Sequence, residues 1–242
     1  MIDQQSTRMS NSVNLLTLFF LGALLAAAAE LPYGGWIQIP VLSLIWWRMG
    51  QQSIPSIKNQ FISGMSFALG YFILGLWWIY ISLHDVGGMN PVLAGTAVFL
   101  LSAYVAAYFS LASLSLVFFK TSRLTGLLLA ASWVGFEYFR GVIFTGFPWM
   151  GLAETQVSGP FAPIAPYLGG LGCTFFVVLA SWQLLSIKTH FKTTILSLTC
   201  LVGLSQLLGI WSFTKPTGEP LTVELIQGNF PQSLVFQPEG ML

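Results

Sequence analysis

Full charges are nearly missing from this sequence: nine Lys and Arg and eight Asp and Glu make up 7% of its 242 residues. A soluble domain carries about 25% charged residues, so a water-facing globule of this length is excluded. With 55% hydrophobic residues, most of the chain needs lipid as its solvent. A net charge of +1 gives no basic excess for gripping nucleic acid and no acidic excess for basic partners. The partners expected are therefore the membrane and lipid-like molecules, with no nucleic acid. Cysteine is equally sparse. Cys173 and Cys200 each sit inside an apolar run without C-x-x-C spacing, so no disulfide or metal site is indicated and both read as packing residues. No cofactor is expected.

What the sequence has in quantity is long apolar runs. A bilayer core takes about 20 apolar residues per helix, and seven candidates occupy 13–29, 33–47, 57–83, 91–119, 124–144, 163–187 and 191–213. The second is short, and its Pro40 predicts a kink or a tilted or re-entrant piece. The first, with Arg8 ahead of it and Ala26 to Ala29 at its end, also fits a signal peptide. It is read as a retained first helix, with Gly22 and Ala26 suited to close packing.

Short cytoplasmic loops are enriched in Lys and Arg. A cytoplasmic N-terminus gathers Arg8, Arg48, Lys58, Lys120, Arg123, Lys188 and Lys192 on that side, leaving Arg140 and Lys215 opposite. Seven spans then deliver the tail to the far face, the periplasm of a Gram-negative host. The tail opens with a turn-rich linker, 214–220, and continues with alternating Leu221, Val223 and Leu225 beside Thr222 and Glu224, which predicts one β-strand to Ile226. The fold class expected is an all-α polytopic membrane protein of about seven transmembrane helices, followed by the start of a soluble domain.

Ionisable groups inside a membrane cost about 2.5–3.5 kcal/mol near a helix centre and mark function by default. Glu137 and Arg140, three apart, share a face at the outward end of the fifth span. They read either as an ion pair that offsets desolvation or as a lipid-headgroup or substrate site. Beyond them Phe147, Pro148, Trp149 and Met150 form an aromatic, Pro-bent loop that with Glu154 and Gln156 suits a mouth for an amphiphile, although Trp there also serves as an interfacial anchor. His84 beside Asp85 reads as a solvated loop pair, since neighbours on a helix point apart. Gly169, Gly170 and Gly172 lack the strand-loop-helix setting of a nucleotide site and predict backbone approach between helices.

Several of these segments together resemble the bacterial apolipoprotein N-acyltransferase family: Trp78 to Gly88, Glu137 to Gly141 with Thr145 to Trp149, Ala165 to Gly169, and above all Val223 to Ser233, whose Gln227-Gly228-Asn229-Phe230-Pro231-Gln232 looks like the entry to that family's nitrilase-like domain. The resemblance implies a multi-pass protein of the bacterial inner membrane with a cytoplasmic N-terminus, seven helices, a periplasmic α-β-β-α domain and a final helix. It implies transfer of an acyl chain from a phospholipid donor to a cysteine thiolate, and then to the amine of a diacylglyceryl-cysteine lipoprotein acceptor. A Glu base, a Lys for the oxyanion and a Cys nucleophile would carry that chemistry.

On the same resemblance the chain divides into a transmembrane domain, 1–213, a linker, 214–220, and an incomplete beginning of the nitrilase-like domain, 221–242. The catalytic triad is then expected beyond Leu242 and the chain is expected to be inactive alone. The residues expected near the lipid are Arg140 and Trp149, with Glu137, Pro148 and Phe236. Where the family continues with Lys-Trp, this chain has Val235-Phe236, which keeps a π surface without an N–H donor. A polytopic lipid transporter-like protein and a non-catalytic membrane scaffold stand as the alternatives. Paired broken helices of the transporter kind are not evident.

Overall fold

The computed structural model describes residues 2–51, 56–119, 122, 124–211, 214 and 217–228, with side chains from Ser12 onward. The regular elements among them are helical: α1 (Ile2–Ala29), α2 (Gly34–Gly50), α3 (Ile57–Gly75), α4 (Trp77–Ile81), α5 (Pro91–Ser113), α6 (Ser115–Phe118), α7 (Thr125–Val142), α8 (Ala165–Leu184) and α9 (Phe191–Leu208), with short 3-10 and π turns between. Helix is what lipid demands, because it satisfies every backbone N–H and C=O within one segment. Local chemistry marks the starts. The Ser56 hydroxyl accepts from the Asn59 N–H at 3.1 Å, and Asn90 Oδ1 accepts from the Val92 N–H at 3.0 Å, with Pro91 in the first turn.

Five stretches are long and apolar enough to cross a membrane: Ser12–Ala29, Pro91–Phe118, Thr125–Thr145, Ala162–Leu184 and Phe191–Leu208. A sixth appears if Ile57–Gly75 and Trp77–Val86, bent by 50°, count as one span. Length and apolarity thus give five or six of the expected seven; α2, with 17 residues, about 25 Å at 1.5 Å per residue, stands at the short limit for crossing a hydrocarbon core of about 30 Å. Pro40 lies inside α2 and faces outward, and the helix runs on through it.

Contacts fix the helix directions. The Ser66 hydroxyl donates to the Leu15 carbonyl at 2.7 Å, Gly70 lies against the Phe19 carbonyl and Gly22 against the Phe67 carbonyl and the Tyr71 amide, so α1 and α3 run parallel. A Cβ at Gly22 or Gly70 would collide with those carbonyls, and the absence of one lets the two backbones touch. Leu25, Ala26 and Ala28 are buried, so the stretch that also fits a signal peptide packs into the bundle. Helix α5 returns antiparallel to α3, with Gly64 against Ser110 and the Ser113 hydroxyl near the Gln60 carbonyl. Helices α7 and α8 pair through Glu137 with Thr174 at one end and Gly126 with Trp182 at the other.

Between them the core is aromatic. Trp133 meets Trp46 at 5.4 Å and Phe109 at 4.5 Å between ring centroids, edge to face, and Phe72 meets Phe109 at 5.2 Å. Such pairs contribute about 0.5–1.5 kcal/mol each beyond area burial. The outer faces carry exposed Phe20, Leu93, Leu100 and Leu196, as a lipid-facing belt requires.

Three expectations are corrected. The stretch 221–228 forms no strand, and Leu221, Val223, Leu225 and Ile226 stand exposed; a single strand with nothing to pair with gains too little to form. The Gly169 region is a kink, since Gly169 sits at φ +66° inside α8 with open space around its would-be Cβ. Glycine is used there for a conformation that side chains avoid, not for helix approach. Cys173 is buried and donates to the Phe161 carbonyl at 3.3 Å, but Cys200 is exposed on α9 and packs into no core.

Candidate functional site

Trp133, Glu137 and Arg140 follow helical spacing along α7 and all three are buried. Glu137 accepts from the Trp133 indole N–H at 3.1 Å and from the Thr174 hydroxyl at 3.2 Å. Arg140 is 1% exposed. Its guanidinium donates Nη1–H to the Trp149 carbonyl and Nη2–H to the Pro148 carbonyl, the latter at 3.3 Å. It also lies 5.4 Å from the Phe109 centroid and 5.6 Å from that of Phe72. Ring faces and carbonyl dipoles therefore surround its charge. No Glu137–Arg140 ion pair within 4 Å occurs among the described residues. The two share a face as the spacing predicts, yet each bonds to its own partners, and the buried Nε–H of Arg140 finds no acceptor among the described residues.

The loop that Arg140 holds is strained. Phe144, Thr145 and Met150 have φ of 53°, 71° and 63°, with Gly146 at 82°. Positive φ is costly for side chains, most of all for β-branched Thr, so other groups must hold this shape. They are visible. The Tyr71 hydroxyl donates to the Met150 carbonyl at 3.2 Å, and the Phe147 N–H donates to the Arg140 carbonyl at 2.9 Å. The Glu154 carboxylate accepts from the Met150 and Gly151 N–H groups at 3.2 and 3.1 Å. Gly151 is buried against Glu137 Oε1, and even a Cβ there would come within 2.9 Å of that oxygen.

With its backbone gripped from behind, the loop presents its rings forward. Phe144 and Trp149 are 83% and 52% exposed, and the Phe147 and Trp149 centroids lie 5.1 Å apart. Pro148 is exposed beside them. Deeper, Gln156 is buried rather than at the mouth. Its amide donates to the Gly35 carbonyl at 3.0 Å and to Gln38 Oε1 at 2.9 Å, while its own Oε1 accepts from the Phe161 N–H at 3.2 Å. This ties the α7–α8 connection to α2. Another aromatic group, Trp77 stacked on Tyr80 at 4.8 Å with His84 beyond, closes the α3–α4 end. His84 and Asp85 are 3.9 Å apart, and His84 Nδ1 lies 2.7 Å from the Met89 carbonyl.

Of the site residues expected from sequence, Glu137, Arg140, Pro148 and Trp149 come together, and Phe236 lies outside the described residues. Sequence reasoning missed Tyr71, Gln38 and the capping role of Glu154. No group of three metal-ligating side chains occurs among the described residues. The arrangement is a ring-bearing ledge, held from behind, suited to an acyl chain.

Residues 21–183 match the family described as the apolipoprotein N-acyltransferase N-terminal domain. The chain is 33% identical to an apolipoprotein N-acyltransferase of Shewanella oneidensis over 98% of its length and 46% of the relative's. It is 35% identical to that of Nitrosomonas europaea, over 85% and 41%, and 33% identical to that of Ralstonia nicotianae, over 91% and 44%. The chain thus spans less than half the length of these relatives.

Proposed function

From the premise that the chain belongs to the apolipoprotein N-acyltransferase family, we propose that it is the membrane portion of an enzyme moving an acyl chain from a phospholipid to the N-terminal diacylglyceryl-cysteine of lipoproteins. The observation that carries this reading is the ledge 144–150: exposed Phe144, Pro148 and Trp149 on a backbone gripped by Arg140, Tyr71 and Glu154. A donor chain lies against Trp149 and Pro148, and against Phe236 from the tail. Arg140 and Glu137 act from behind, by holding the ledge in shape. The reactive Glu, Lys and Cys belong to a nitrilase-like domain of which 221–242 is the beginning, with 1–213 the transmembrane domain and 214–220 the linker.

The chemistry is tested by acylation. In bacteria depleted of their own N-acyltransferase, the 242-residue chain is expected to leave lipoprotein amines free and to form no acyl thioester, since both cysteines lie within helices. The same chain fused in frame to the remaining half of the Shewanella relative is expected to restore N-acylation, read by mass spectrometry of lipoprotein N-termini. A labelled thioester on Cys173 or Cys200, or a properly folded but inert fusion, would overturn the reading.

For topology, we propose seven crossings of the bacterial inner membrane, with the N-terminus cytoplasmic and the tail periplasmic. Parallel α1 and α3 support this, because the chain has to come back between them and α2 is the element that does so. In a cysteine-free background, a Cys at position 225 is expected to react with a membrane-impermeant maleimide in intact spheroplasts. A Cys at position 188 should react only after lysis, and the reverse pattern would refute the orientation.

A further inference from the structure

At the end of the bundle opposite the ledge, α2, α6, α7 and α8 leave a cavity of about 330 Å³, within the roughly 300–1,000 Å³ of small-ligand sites. Indole rings dominate it: Trp46, Trp47 and Trp182 line the walls, with Gln51 and Thr125 as polar neighbours and Gly50 at the side. Trp46 is held in place by its N–H, which donates to the Ser181 hydroxyl at 2.9 Å. Gln60 joins Gln51 and Thr125 in setting polar groups among the apolar walls, so the lining can meet both the chain and the headgroup of an amphiphile.

Charge decides which amphiphile. Helix directions bring Arg48 at the end of α2, Lys58 at the start of α3, Lys188 after α8 and Lys192 at the start of α9 to this same end. No Asp or Glu occurs anywhere in 31–84, 86–136 or 155–218, so the segments that build the cavity carry cations without carboxylates to neutralise them. Arg48 also has a buried Nε–H with no acceptor among the described residues, a donor that an anion would satisfy.

We propose that this cavity is a binding site for an anionic phospholipid of the adjoining leaflet, one acyl chain against the three indoles and the phosphate at Arg48 and Lys188. Basic pockets between transmembrane helices recognise anionic headgroups in this manner. Trp46 takes the chain without a conformational cost of its own, since its hydrogen bond and packing already fix it. The site lies at the opposite end from the ledge and does not depend on the acyltransferase reading.

The test uses the purified 242-residue chain in phosphatidylcholine nanodiscs doped with a minor, equal mole fraction of either brominated phosphatidylglycerol or brominated phosphatidylcholine. Bromine quenches tryptophan on contact. Quenching by the anionic lipid is expected to be more efficient by about five-fold per headgroup-facing cation. Trp182→Phe should reduce the selective part, which Trp46 and Trp47 continue to report, whereas exposed Trp36 and Trp77 give the unselective remainder. Arg48→Gln with Lys188→Gln should bring the two lipids to parity. Gly50→Phe fills the cavity from a position where an added Cβ meets nothing within 4 Å, and should also abolish selectivity; Gln51→Phe serves if that variant does not fold. Equal quenching by both lipids in the unaltered protein overturns the proposal, and so does selectivity that survives a filled cavity, which would assign it to surface charge alone.

Discussion

Arg140→Ala is expected to destabilise the folded protein by about 3 kcal/mol, because it strips the Pro148 and Trp149 carbonyls of a charged donor and leaves Glu137 buried without a cation on its face. The loss should be local first. A Cys introduced at Leu152, buried in the same connection, in a cysteine-free background is expected to react with a soluble thiol reagent at least about ten-fold faster once Arg140 is gone, as a region loses the contacts that keep it closed. Arg140→Lys should rescue little, since a compact, strongly hydrated ammonium lacks the rigid planar fork that reaches the Pro148 and Trp149 carbonyls with Cζ over the Phe72 and Phe109 rings. In the fused full-length version, acyl transfer should fall further than protein abundance. Equal falls would mean that Arg140 serves the bundle in general and not the ledge.

The second large effect is steric. Gly22→Ala is expected to cost about 3 kcal/mol, at the upper end for overpacking, because the new methyl meets the Phe67 backbone carbonyl rather than a side chain that could swing away. Separation of α1 from α3 would follow, read as a fall in the folded fraction during denaturant titration in detergent. Gly95→Ala is the matched control. On α5 an added Cβ meets nothing within 4 Å, so this change should stabilise by about 0.5–1 kcal/mol through helix propensity. Similar outcomes for both would show that the α1–α3 backbone contact contributes little.

These two sites differ in how well the sequence announces them. The spans are legible because lipid imposes long apolar runs, and the shared face of Glu137 and Arg140 because three residues is nearly one helical turn. What holds those two is not legible. Tyr71 reaches Met150 across 79 positions and Gln156 reaches Gln38 across 118, and no local pattern encodes a partner so distant. The ion-pair alternative for Glu137 and Arg140 rested on spacing alone, which sets direction but not which neighbour is nearer. The Gly169 cluster misleads in another way: composition reveals that glycine is needed but not whether the need is a close approach or a positive φ. The strand at 221–226 fails because alternation describes a surface that a sheet would cover, and no second strand is present among the described residues.

Helix α9 is the least enclosed of the spans, with 11% of its apolar window buried, yet its exit is moored. Ser205 and Gln206 both donate to the Pro160 carbonyl, at 2.9 and 3.0 Å, and the Tyr167 hydroxyl donates to the Leu208 carbonyl at 2.7 Å. Pro160 belongs to the same α7–α8 connection that carries Trp149. The exit of α9 is therefore fixed to the connection that bears these rings. Tethering raises the effective concentration of linked groups into the millimolar range, so the mooring of α9 to Pro160 joins the last span to the ring-bearing loop without a large interface between them.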